Sequence, residues 1–379
     1  MEYCFIERLS ERRFLSLHSI ASIIQAMYEN YHNEATDLLK QLIAIPAISR
    51  SEDKRADFLT AWLTARELTV HRELNNLWCA APGYKKGRPT ILLNSHVDTV
   101  KPVEGWTTNP HKPFIENDIL YGLGSNDAGA SLCCLIQVFR ILSALPQSYN
   151  LVLGISAEEE ITGKNGIEAL LPVLPPIDLG IVGEPTNMHP AVAEKGLMVL
   201  DCTVHGVAGH AARHEGENAI YKAMKDIEWF RTKTFPLHSN FLGPVKMTVT
   251  QVNAGTQHNV IPDSCQFVVD VRINEFYSPE QLYEQIAGCV GCDVKARSFR
   301  LSSSRIETDH PVVKACMAAG RVPYGSPTLS DQARMPFTTL KIGPGESARS
   351  HTANEYIVLE EMREALGLYI KILDGLSLA

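Results

Sequence analysis

The sequence predicts an α/β fold built on a mixed, largely parallel sheet and interrupted by a smaller inserted α+β unit. Three observations predict it. The runs Ile91-Leu92-Leu93, Leu151-Val152-Leu153-Gly154-Ile155 and Leu179-Gly180-Ile181-Val182 are short and apolar throughout, as strands covered on both faces are. Helix-like segments alternate with them up to about residue 186. Beyond that point apolar and polar residues alternate instead, and the α/β texture resumes near residue 298. An insertion explains this return better than two domains in series, and 379 residues exceed one ordinary core.

Taken in order, residues 28–45 read as an amphipathic helix and 57–68 as a second. Residues 90–94 read as a strand, 128–145 as a helix opening just after Asp127, and 151–156 and 179–183 as strands. The texture changes after Glu184-Pro185-Thr186-Asn187. Residues 196–205, 245–253 and 264–273 alternate in the manner of half-buried antiparallel strands, with helices expected over 218–230 and 279–288. From about residue 298 the α/β texture then returns through 311–319 and 360–373.

The net charge of −8, with no basic run, argues against a nucleic-acid surface. No apolar stretch reaches the length of a membrane span. Early acids (Glu2, Glu7, Glu11) spoil the pattern of a secretory signal, so residues 1–26 read as an N-terminal extension, with Met27 a natural alternative start. Nine scattered cysteines, mostly inside apolar runs, fit reduced thiols in a cytoplasmic protein. Cys289-Val290-Gly291-Cys292 lacks the second ligand pair of a zinc knuckle and reads as structural.

Five acid and histidine motifs lie at the ends of apolar runs: His96-Val97-Asp98, Asp127, Glu158-Glu159-Glu160, Glu184 and His351. In an open parallel sheet the strand C-termini share one edge, and ligands bind there. Carboxylates and imidazoles that converge without Lys or Arg call for a metal ion, and this many can hold two. Each motif also has a plain reading. His96 and Asp98 project to one side of an extended chain, yet can serve a turn. Asp127 follows the glycine-rich Tyr121-Gly122-Leu123-Gly124 and suits a helix N-cap. Three adjacent acids repel one another unless cations neutralise them, although a solvated acidic loop stays open. Glu184 and His351 are each compatible with an ordinary loop.

Taken together, the order and local sequences resemble the M20 family of dinuclear metallopeptidases and amino-acid deacylases. The likeness runs from about residue 34 to the C-terminus. It rests on Ser95-His96-Val97-Asp98-Thr99-Val100, Gly105-Trp106, Pro113-Phe114, Leu120-Tyr121-Gly122, the acidic triplet, Gly183-Glu184-Pro185-Thr186 and Gly343-Pro344-Gly345. The resemblance implies a zinc-peptidase-like catalytic domain (27–186 and 298–379) carrying an inserted dimerisation (lid) domain (187–297). It implies that His96, Asp127 and Glu184 hold one zinc ion and Asp127, Glu160 and His351 a second, with Asp127 shared. Cobalt or manganese can stand in for zinc. Asp98 would orient His96 and Glu159 would be the general base.

In the inserted unit, His210 of Gly206-Val207-Ala208-Gly209-His210 matches a donor to the oxyanion, supplied in relatives across a homodimer interface. Asn259 and Arg272 match positions that bind a substrate carboxylate. From the bare residues, a surface histidine, a turn asparagine and a strand-end ion pair remain open. The implied activity is removal of an N-acyl group from a small amino acid that keeps a free carboxylate. N-acetylornithine, in arginine biosynthesis, is the first expectation, with acyl-citrulline or succinyl-ornithine close behind. Succinyl-diaminopimelate desuccinylation and a metallo-dipeptidase or carboxypeptidase are the alternatives, and a metal- or amino-acid-binding protein without turnover is the non-enzymatic one. Leu123 stands where relatives usually carry Arg, and Ala128-Gly129-Ala130 lacks their Lys, so the pocket wall differs while Asp127 survives.

Overall fold

The structure is a computed structural model that describes residues 17–378. Of the expected extension, residues 1–16 lie outside the described residues. The first helix spans Leu17–Ile43 and so begins before Met27. Two compact units emerge. The larger runs to Ala191 and takes in Ile306–Pro323 and Met335 onward, and the smaller holds Val192–Arg305 and Tyr324–Arg334.

In the larger unit the strands lie in the order His71–Glu73, Asn76–Ala80, Asn150–Ser156, Thr90–His96, Leu179–Val182, Thr338–Lys341. The last four are mutually parallel, and the first two form an antiparallel edge. Every residue of Thr90–His96 and Asn150–Ser156 is buried, because helices cover both faces. The helix Ala130–Ser143, buried at every position but Arg140 and Ser143, packs on these strands with Leu17–Ile43 and Leu359–Leu373 against it. Leu92, Val152 and Val182 pack instead with Ile167 and Leu170.

Parallel register decides where chemistry can collect. His96 pairs with Ser156, and Asn94 with Val182, so the chain leaves three adjacent strands at one edge. A further three-stranded sheet joins Phe114–Glu116, Ile119–Tyr121 and Tyr356–Val358. Runs of three residues carry no readable period, so the sequence reading does not assign it.

The smaller unit centres on Gly196–His205 and Ser264–Ile273, paired antiparallel over ten residues, with Lys246–Ala254 and Asp293–Ala296 outside them. One residue in two faces a core of Met198, Leu200, Cys202, Phe267, Val269 and Val271, closed by Phe230 and Leu282 from the helices Ala219–Thr232 and Pro279–Ala287. Asn218 caps the first helix, and a Ser278–Gln281 capping box opens the second. Cys202, Cys265 and Cys292 are buried free thiols and Cys289 an exposed one. No helix among the described residues is long and apolar enough to cross a membrane.

Candidate metal centre

His96 ends the central strand and is almost fully buried. Its Nε2 lies 3.2 Å from Asp127 Oδ1 and 3.8 Å from Glu184 Oε1. Its Nδ1 is 3.0 Å from the Asp98 carbonyl oxygen and 3.5 Å from Asp98 Oδ1. Backbone and carboxylate of one residue therefore orient the ring. Asp98 does more, for its carboxylate accepts from Ser49 Oγ at 2.7 Å and from the N–H groups of Glu159 at 3.1 Å and Glu160 at 3.3 Å. One side chain ties the end of the Thr90 strand to the turn after the Asn150 strand.

That turn is a single 3₁₀ turn over Glu159–Ile161, entered through Glu158 with φ near 51°. Glu158 is buried, and its carboxylate accepts from the side chain and backbone N–H of Asn165. This leaves its neighbours free to face the sheet edge. Donor atoms of His96, Glu159 and Glu184 lie within 4.8 Å of one another, as do those of His96, Asp127 and Glu160.

On the other flank, His351 Nε2 is 2.8 Å from Glu160 Oε2 and 3.6 Å from Asp127 Oδ2. The two oxygens of Asp127 thus address two different histidines, one on each side. Gly345 holds the loop that leads to His351, at φ 84°, where a Cβ would come within 2.3 Å of Asn126 Oδ1. Asn126 clasps that loop, donating to the Glu346 carbonyl at 3.0 Å and accepting from Glu346 N–H at 3.1 Å.

The electrostatics follow from this crowding. Burial by itself would lower the pKa of His96, but Asp127 and Asp98 outweigh it and hold the imidazole well above its usual range. Asp98 and Asp127 run against burial in the opposite sense and are held low, chiefly by His96. Glu160 is pushed up by burial and by Asp127. Its hydrogen bond carries His351 to about 9. The metal-free cluster therefore holds protons on imidazoles surrounded by acids, and a divalent cation would displace them. The donor set fits such ions: nitrogen and carboxylate oxygen only. Arg55, buried beneath, spends its N–H groups on the Ile45 and Val97 carbonyls.

The remaining candidates belong to the smaller unit. His210 is exposed and pairs with Val260 in a two-residue strand, and Ala211 N–H donates to the Asn259 carbonyl at 3.0 Å. His210 and Asn259 are thereby neighbours. Arg272 forks onto Asp270 at 2.8 and 3.1 Å and sits opposite Lys246 on the adjacent strand. Lys195, one residue before the Gly196 strand, shares that face of the sheet by the two-residue repeat, since Leu197 pairs with Arg272. Burial, then the charges of Lys246 and Arg272, hold its ammonium below the usual lysine range.

Sequence reasoning misses Lys195 and Lys246, although strand period alone could have grouped them with Arg272. It also misses Glu355, a 2 % exposed carboxylate four residues beyond His351. A charged residue just ahead of the apolar Tyr356-Ile357-Val358 was the available signal.

Residues 192–293 match the family model described as Peptidase dimerisation domain. The chain is 27% identical over 289 residues to succinyl-diaminopimelate desuccinylase from Wolbachia pipientis subsp. Culex pipiens, covering 71% of each. It is 27% identical over 374 residues to acetylornithine deacetylase from Proteus mirabilis, covering 88% of this chain and 95% of that one. Its fold is similar to that of the aminopeptidase PepT of Bacillus cereus, with a TM-score of 0.72 at 22% identity over 90% of this chain and 98% of that one.

Proposed function

We propose that this chain, which belongs to the M20 peptidase family of amide-bond hydrolases, is a dinuclear zinc amidohydrolase that removes the acyl group from an N-acyl amino acid. One observation carries the reading: the two Asp127 oxygens turn to two histidines on opposite flanks, the arrangement of a carboxylate bridging two cations. His96, Asp127 and Glu184 would hold one ion, and Asp127, Glu160 and His351 the other. Bound cations of this kind acidify a water molecule and polarise an amide carbonyl.

The chain's own groups do the rest. Glu159, whose N–H donates to Asp98, is the proton acceptor for the attacking water and returns the proton to the departing amine nitrogen. His210 donates to the developing oxyanion. Asn259 and Arg272 bind the amino-acid carboxylate. The protein acts as a cytoplasmic homodimer, with His210 serving the partner's site. Supporting this, the Lys246–Ala254 strand is a largely exposed edge, and Tyr221 and Met224 on the neighbouring helix are 70% and 61% exposed.

Acylated ornithine is the first substrate choice, supported by the near full-length match to an acetylornithine deacetylase. A second reading, a substrate with an additional carboxylate such as an N-succinyl amino acid, is favoured by Lys195 and Lys246 beside Arg272. Three cations there face one paired acid, Asp270. The test is a zinc-reconstituted assay across acetyl- and succinyl-ornithine, citrulline and diaminopimelate, with dipeptides included. Release of free amino acid from acyl substrates is expected. Turnover confined to dipeptides would overturn the deacylase reading.

A further inference from the structure

The bridging geometry of Asp127 raises a question the ligands cannot answer: what holds this loop in place when three acids crowd together? The segment from Gly122 to Gly129 is neither strand nor regular helix, and Asp127 itself has extended backbone angles of φ −115° and ψ 100°. Left alone, mutual repulsion among Asp127, Glu160 and Glu184 would drive such a loop outward.

The restraint comes from a residue 228 positions away. Glu355 is 2 % exposed, and its Oε1 accepts from the N–H groups of Asn126 at 2.8 Å and Asp127 at 2.9 Å. Its Oε2 accepts from Gly124 N–H at 2.9 Å. Its backbone carbonyl accepts from Gly122 N–H at 3.0 Å, and the next residue, Tyr356, pairs with Tyr121. Three N–H groups of one irregular loop therefore converge on a single buried carboxylate, a nest closed around an anion of the chain itself. The contact also has a direction. With its N–H fixed and its neighbour Asn126 clasping the His351 loop, Asp127 turns its carboxylate to His96 and His351.

We propose that Glu355 is a positioning residue that sets the Asp127 loop in its bridging geometry before any cation arrives, so that metal affinity depends on a carboxylate that touches no metal. This rests on the dinuclear reading of the site. A glutamine at this position has one acceptor oxygen instead of two, so at least one of the three N–H groups would face an amide NH₂. An aspartate keeps the charge but is one methylene too short to reach all three.

The experiment titrates metal-stripped full-length protein with cobalt(II), followed by visible absorbance and calorimetry, for wild type, Glu355→Gln and Glu355→Asp. Circular dichroism and sedimentation monitor fold and assembly. Hydrogen exchange of the peptide covering 122–129 is measured in wild type with and without cobalt. Both variants are expected to keep their secondary structure and to bind cobalt about 10- to 100-fold more weakly. The wild-type loop is expected to be protected already in the metal-free protein, with little change on adding cobalt. Wild-type cobalt affinity in a folded variant overturns the proposal. So does a metal-free loop that exchanges freely and becomes protected only with cobalt, an arm that decides the matter even where a variant fails to fold. Wild type that binds no cobalt would instead overturn the dinuclear reading, leaving the exchange arm to judge Glu355 on its own.

Discussion

Replacing Asp98 by Ala removes a side chain that joins the His96 strand to the acidic turn. Three donors lose their acceptor: Ser49 Oγ, Glu159 N–H and Glu160 N–H, at 2.7, 3.1 and 3.3 Å. His96 Nδ1 loses a carboxylate at 3.5 Å but keeps the Asp98 carbonyl at 3.0 Å. A hydrogen bond to a charged group is worth about 1.5–3 kcal/mol, and a fully buried orphaned donor costs about 1–3. Ser49, Glu159 and Glu160 are only part-buried, so water can replace some of what is lost. The contacts also share one acceptor and do not add. The expected loss is therefore about 2–4 kcal/mol of unfolding free energy in metal-free protein, read from urea denaturation. Turnover on an N-acyl amino acid should fall about 10- to 100-fold, the usual effect of removing a group that orients a ligand. Asp98→Asn, which keeps one acceptor oxygen, should fall between. If Asp98→Ala unfolds at the wild-type urea midpoint with unchanged slope, the tie between strand and turn is not where the stability lies.

Three other outcomes follow from the same geometry. Glu159→Gln should lower kcat about 10²- to 10⁴-fold while cobalt binding persists; undiminished hydrolysis would remove Glu159 from the role of base. In metal-free protein, His351 is raised from about 6.5 to about 9 by Glu160, so its contribution to stability is complete below about pH 6.5 and lost as pH climbs through 9. Thermal unfolding should then fall more between pH 7 and 9.5 in wild type than in His351→Ala, and parallel curves would refute the pairing. Lys195→Ala and Lys246→Ala should raise KM for N-succinyl substrates and leave N-acetyl substrates nearly unchanged; equal effects on both would discount a second carboxylate.

How much of this was legible depended on how chemistry maps onto periodicity. Thr90–His96, Asn150–Ser156 and Leu179–Val182 are buried on both faces, and their parallel order makes a common C-terminal edge a matter of topology. The nearness of His96, Glu159, Glu160 and Glu184 follows from that edge. Asp127 and His351 do not end strands. They come to the same place through Asn126, Glu355 and the sheet of Ile119–Tyr121 with Tyr356–Val358, contacts spanning more than 200 residues that leave no periodic trace. Of the smaller unit's four-stranded sheet, Gly196–His205, Lys246–Ala254 and Ser264–Ile273 were readable from their alternation, whereas Asp293–Ala296 is too short to carry a period.

Departures near Asp127 bear on pocket chemistry more than on metal chemistry. Leu123 is 2 % exposed and its N–H donates to the Pro110 carbonyl, so where relatives usually place an arginine this chain packs an apolar side chain. Ala128 and Ala130 are likewise buried, at 1% and 0% exposure. The wall beside Asp127 therefore carries no cation at these positions, while the smaller unit groups Lys195 and Lys246 with Arg272. On the proposed deacylase reading, recognition of substrate charge falls to that unit. Replacing Leu123 by Arg should then restore a cation without restoring specificity, leaving the ratio of kcat/KM for succinyl over acetyl substrates governed by Lys195 and Lys246.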